Sequence, residues 1–195
     1  MDDDKAASDV AHLMSEEMFS GWGIRTLAAS MGAYNPLSYH NGSLWPHDNA
    51  IIVAGMLRYG FVQEAQRVTL ALLDASVTFG SRFPELWTGF DRNEFAAPLP
   101  YPTSCSPQAW AAATPFLLLR ALLGLNPQLP KHQIALSPQL PPAFLPLRID
   151  NLRIGADRVA IEVDEHGCHI HGLPSTLKWI QALPDGPAVR TGGDP

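Results

Sequence analysis

Pro46-His47-Asp48-Asn49-Ala50-Ile51-Ile52-Val53-Ala54-Gly55-Met56-Leu57-Arg58-Tyr59, broken by Gly60 and followed by Phe61 to Phe79, is the stretch on which the fold reading turns. Proline suits the first turn of a helix, where its missing N–H has no partner to lose. Residues 46–59 are apolar nearly all round, which predicts a helix buried on most sides. Residues 61–79 carry a stripe at Phe61, Ala65, Val68, Leu72, Ala75 and Phe79, with Gln63, Glu64, Gln66, Arg67 and Asp74 opposite. That spacing of four and three predicts an amphipathic helix. Together they read as an αα-hairpin with an inner and an outer member.

Outward from the hairpin, Val10, Leu13, Met14 and Met18 predict a helix over 6–18, stopped by Gly21-Trp22-Gly23. A further apolar helix is expected over about 106–123, ended by Gly124. From Ala96 to Leu147 there are 11 prolines and no acidic residue, which reads as a proline-rich connection. Beyond it, Leu152 to Ile154, Val159 to Val163 and Cys168 to His171 alternate and predict short strands turned at Gly155 and Gly167. The expected organisation is therefore helical hairpins over 1–125, a connection and small β segment over 126–183, and a disordered tail over 184–195.

Composition bounds the function. The chain has 195 residues and a formal charge of -6, from 13 basic and 19 acidic side chains, which argues against a binder that neutralises nucleic-acid phosphates. Charged residues are 16% against about 25% in an ordinary soluble protein, so part of the surface is expected to meet a partner. The two cysteines, Cys105 and Cys168, stand 63 positions apart and predict free thiols in a reducing compartment. The N-terminus has no apolar signal region and no stretch reaches the length of a membrane helix, so a cytoplasmic location with no membrane partner is expected.

Three polar, aromatic loops carry the chemistry. They are Tyr34 to Asn49, Phe83 to Arg92, and Tyr101 to Trp110. Rings beside carboxylates and amides suit a sugar, whose apolar face lies on a ring while its hydroxyls bond polar groups. His40, His47 and Asp48 match no metal-ligand spacing, so neither a metal nor another cofactor is expected. His169 and His171 share one face of an alternating strand and are read as a solvated edge rather than a metal site.

Four segments, taken in order, resemble a known family. They are Ser20-Gly21-Trp22-Gly23-Ile24-Arg25-Thr26-Leu27; Tyr34-Asn35-Pro36-Leu37-Ser38-Tyr39-His40-Asn41-Gly42-Ser43-Leu44-Trp45-Pro46-His47-Asp48-Asn49; Phe83-Pro84-Glu85-Leu86-Trp87-Thr88-Gly89-Phe90; and Cys105-Ser106-Pro107-Gln108-Ala109-Trp110. From about residue 6 to 163 the chain resembles the C-terminal part of bacterial glycogen-debranching enzymes, the amylo-α-1,6-glucosidase type of glycoside hydrolase. The resemblance implies a mainly α fold, the last hairpins of an (α/α)6 toroid followed by a small β-rich segment. It implies an inverting mechanism, in which an acid protonates the leaving oxygen and a carboxylate roughly 6.5–9.5 Å away activates water. By the resemblance Glu85 is the general base. His40, Asn41, Trp45, His47 and Asp48 line the glucose subsite, Tyr39 and Trp87 are stacking platforms, and Gln108 is a hydroxyl ligand. For Asp48 a helix-capping role stands equally, and Trp110 is read as core packing.

The family's general acid is an aspartate well upstream of Gly-Trp-Gly, and Asp2, Asp3, Asp4 and Asp9 sit in no matching context. The expectation is a C-terminal portion that is inactive alone, completed by the missing upstream part of the catalytic domain or associating through exposed inner helices. Two alternatives stand beside it. One is a non-catalytic relic or a glucan- or partner-binding module. The other is a related glycosidase for mannosylglycerate, trehalose or N-glycan glucose.

Overall fold

A computed structural model describes residues 1–181. The expected tail over 184–195 lies outside them. The elements, in chain order, are α1 (Asp3–Leu13), α2 (Pro46–Arg58), α3 (Val62–Thr78), α4 (Ala109–Leu122), β1 (Asn126–Gln128), β2 (Gln133–Ala135), β3 (Leu147–Ile154), β4 (Asp157–Asp164), β5 (Gly167–His171) and β6 (Lys178–Ile180). The mainly α toroid is not what these residues build. Four helices stand with two three-stranded sheets, and α2 with α3 is the one extended helix pairing among the described residues. The reason is local. Residues 14–45 and 79–108 are dense in Gly, Pro, Asn and Ser, which favour turns over helix, and residues 126–180 are spent on strands.

The chain divides into two compact units, Met1–Leu118 and Leu119–Pro195, with the division inside α4. In the first unit, α1 begins earlier than its apolar spacing suggests. The Asp2 side chain accepts from the Lys5 N–H at 2.8 Å, and Asp3 and Asp4 occupy the first turn, where the helix dipole favours them. The hairpin forms as read: Gly60 adopts a positive φ of 83° between α2 and α3, and Val53, Val68, Leu72 and Ala75 are fully buried. Not all of α2 is covered, however, because Ile51 is half exposed. On α4, Phe116 and Trp110 are exposed while Ala111, Thr114 and Leu118 face inward.

The long loops are held by single-residue bridges, Arg25 to Leu44, Leu44 to Trp87 and Trp87 to Pro100. Leu44 and Trp87 exchange both backbone hydrogen bonds, at 2.9 and 3.0 Å. Two buried polar side chains complete the frame. Asn49 accepts from the Ile24 N–H at 2.7 Å and donates to the Ile24 and Trp45 carbonyls. Arg25 donates to the carbonyls of Gly89, Glu16 and Glu17 and pairs with Asp91 at 3.3 Å. A buried guanidinium stays charged and needs partners, and here three backbone carbonyls and the Asp91 carboxylate supply them.

In the second unit, β3, β4 and β5 form an antiparallel meander. A register shift between Ile149 and Leu152 accompanies a φ of 59° at Asn151, a residue type that tolerates the left-handed region. The second sheet is the unexpected one: β2 pairs antiparallel with β1 and parallel with β6. Leu123, Leu136, Ile161 and Val163 form one core cluster, and Ile134, Ile154 and Val159 another. Among the described residues, no helix is long and apolar enough to cross a membrane.

Candidate active site

Glu85 leaves the loop after α3 pointing into protein, with 7% of its surface exposed. Its position is set by backbone first. The Glu85 N–H donates to the Cys105 carbonyl at 3.0 Å, and the Leu44–Trp87 bridge fixes the chain two residues on. Its carboxylate is then met from two other loops. The Tyr39 hydroxyl donates to Oε1 at 2.5 Å and the Cys105 N–H donates to Oε2 at 3.2 Å. The Tyr39 hydrogen bond, opposed by burial and aided by hydrogen bonds from Cys105, holds the Glu85 carboxyl below the usual carboxylate range. The same bond pushes the Tyr39 phenol up to about 12. At neutral pH the pair is therefore an anion and a neutral phenol.

Aromatic rings surround this pair. Tyr39 meets His40 at 4.7 Å and Trp45 at 4.9 Å between centroids, both at 87°, and Tyr101 at 5.8 Å. His40, exposed, lies parallel to Trp45 at 5.9 Å. Trp45 is buried and spends its indole N–H on Ser43 Oγ at 2.9 Å. His47, at the start of α2, stacks on Trp110 at 4.9 Å, and Trp110 meets Trp45 edgewise. The expected core role of Trp110 is thus corrected: 42% of it is exposed, at the margin of the cluster.

Other expected positions fall differently. Trp87 is completely buried, with Phe79 and Phe83 against it, so it offers no ring face to a sugar. Gln108 turns its side-chain oxygen to the N–H groups of Trp110 and Ala111, capping α4; only its amide nitrogen remains for a hydroxyl. Asn41 is exposed in the turn after His40, its N–H bonded to Ser38 Oγ. Asp48 is exposed in the first turn of α2 and borders a cavity of about 300 Å³ walled mainly by Leu13, Met18, Ile24, Trp45 and Ile52. Glu85 does not line that cavity. In the second unit, His171 lies 3.2 Å from Glu162 on the exposed side of β5.

The residues that sequence reading missed are Tyr101 and the Cys105 backbone. The loop from Tyr101 to Trp110 is legible as aromatic and polar, but nothing in it singles out Tyr101, and a main-chain N–H carries no signal at all. Chemically, the arrangement presents a buried carboxylate anion in an aromatic setting, with no cationic side chain bonded to it among the described residues. Such a group can accept a proton or bind a positively charged or hydroxylated ligand. No family model matches the chain, and none of the curated proteins matches it.

Proposed function

We propose that Glu85 is the general base of an inverting glycoside-hydrolase site that takes α-1,6-linked glucose residues of glycogen-like glucans. The observation that carries this reading is the Tyr39–Glu85–Cys105 unit. It keeps a carboxylate buried, oriented and ionised among rings contributed by the segments that resemble the debranching enzymes. An ionised carboxylate suits the base and not the acid. It takes a proton from water as that water attacks the anomeric carbon, while an opposing carboxylic acid protonates the leaving oxygen of the branch. The reading places that acid outside these loops, so the chain by itself is expected to bind better than it hydrolyses.

One observation favours a second reading, glucan binding without hydrolysis: both Glu85 oxygens already accept hydrogen bonds. Titration calorimetry with a glucose-configured iminosugar cation and with neutral isomaltose separates the two. For a base, Glu85→Gln weakens the iminosugar by about tenfold or more, the value of a charged hydrogen bond, and isomaltose much less. Equal small losses for both ligands would support the binding module. Absence of binding by either ligand to the folded wild type would exclude both readings.

A further inference from the structure

Tyr39 does something other than offer a face to a sugar. Three rings, those of His40, Trp45 and Tyr101, pack on it at steep angles and within 6 Å. Its backbone is equally fixed, since the Tyr39 carbonyl accepts from Ser43 Oγ at 2.7 Å and from the Trp45 indole at 3.3 Å. A phenol so held keeps its oxygen in one place, beside Glu85 Oε1, to which its O–H donates. The 2.5 Å separation lies at the short end of O–H···O⁻ bonds. From the opposite loop the Cys105 N–H takes Oε2. The carboxylate is therefore gripped at both oxygens from two different loops and cannot rotate.

Building on the reading of Glu85 as the base, we infer that Tyr39 is a positioning residue: it fixes the Glu85 carboxylate in one orientation and keeps it anionic for proton transfer. The other titratable groups packed around the pair are the Cys105 thiol, the Tyr101 phenol and the His40 imidazole. Among the described residues no cation is bonded to Glu85, whose carboxylate accepts from Tyr39 and Cys105. Tyr39 is thus the chief group that lets a buried carboxylate remain charged without a positive partner. Phenylalanine fills the same space and keeps the ring contacts, so the hydroxyl can be removed alone.

The test follows the Glu85 side-chain carboxyl carbon by NMR in the full chain labelled at glutamate. In Tyr39→Phe the Glu85 midpoint is expected to rise, because the largest influence holding it down is gone. The pH at which iminosugar affinity fails in acid is expected to rise with it. A role confined to packing would lower stability and leave the Glu85 midpoint where it is; that result overturns the inference. Should Tyr39→Phe not fold, Glu85→Gln gives the reciprocal measurement by phenolate absorbance. The tyrosine that titrates at about 12 in wild type then moves toward 10, and an unmoved tyrosine overturns the inference. Failure of the wild type to bind iminosugar would defeat the base reading alone, because the Glu85 midpoint is read without any ligand.

Discussion

Glu85 meets a conflict that folding has to resolve, because burial disfavours a carboxylate anion while the hydrogen bonds to it favour that form. The bonds win, and the consequence is a pH dependence with a definite sign. A carboxyl held below its unfolded value contributes stability that is fully present above the unfolded value, near pH 4.3, and is lost as pH falls through the folded one. Wild type is therefore expected to be more stable than Glu85→Gln at neutral pH. The gap should stay level down to about pH 5 and close progressively in more acid solution. Melting temperatures of the two proteins across that range check it, and a gap independent of pH would remove the anion from the account. At this scale the sequence reads partway. A glutamate set among aromatic residues is visible in Pro84-Glu85-Leu86-Trp87, but its donors come from 46 and 20 positions away. Trp87 teaches the complementary lesson. Its type and place suit a sugar platform, and only the packed structure shows that it is wholly buried, with Phe79 and Phe83 against it.

Among the elements, those with a repeating pattern were legible and those built by distant pairing were not. The α2–α3 hairpin follows from its apolar patterning with Pro46 and Gly60 at helix ends, and β4, β5 and the end of β3 from alternation, which the register shift interrupts earlier in β3. The sheet of β1, β2 and β6 could not be read this way. Each strand has three residues, Pro127 lies within β1, and the parallel partner of β2 arrives more than 40 residues later. Three residues are too few to show a period, and proline argues against a strand except at an edge. The long loops are held by contacts of the same non-local kind. Gly89 passes so close to Gly42 that a side-chain carbon on Gly89 would overlap the Gly42 carbonyl, which is backbone and has no room to yield. Gly89→Ala is expected to cost about 3 kcal/mol or more, at the upper end of overpacking effects. Urea denaturation measures this. A loss under about 0.5 kcal/mol, as at an ordinary surface position, would show that the two loops do not cross as described.

For the molecule as a whole, the low charge content has found several concrete expressions. Each unit holds its own apolar core, Asn49 is satisfied by backbone and Arg25 by backbone and Asp91, and Ile51, Trp110 and Phe116 remain exposed on the first unit. The expected mainly α ring gives way to a mixed α and β chain, since among the described residues only one helical hairpin packs as such a ring would require. What survives as a functional argument is narrower and more local: three loops that meet at one anionic carboxylate among rings. Side-chain NMR of the full chain during addition of isomaltose tests that claim most directly. The account predicts that resonances of Tyr39, His40, Tyr101 and Trp110 shift together and saturably, while those of Trp87 and of Trp179 in β6 stay in place. Unmoved aromatic resonances at saturating sugar, or shifts confined to Trp179, would contradict it.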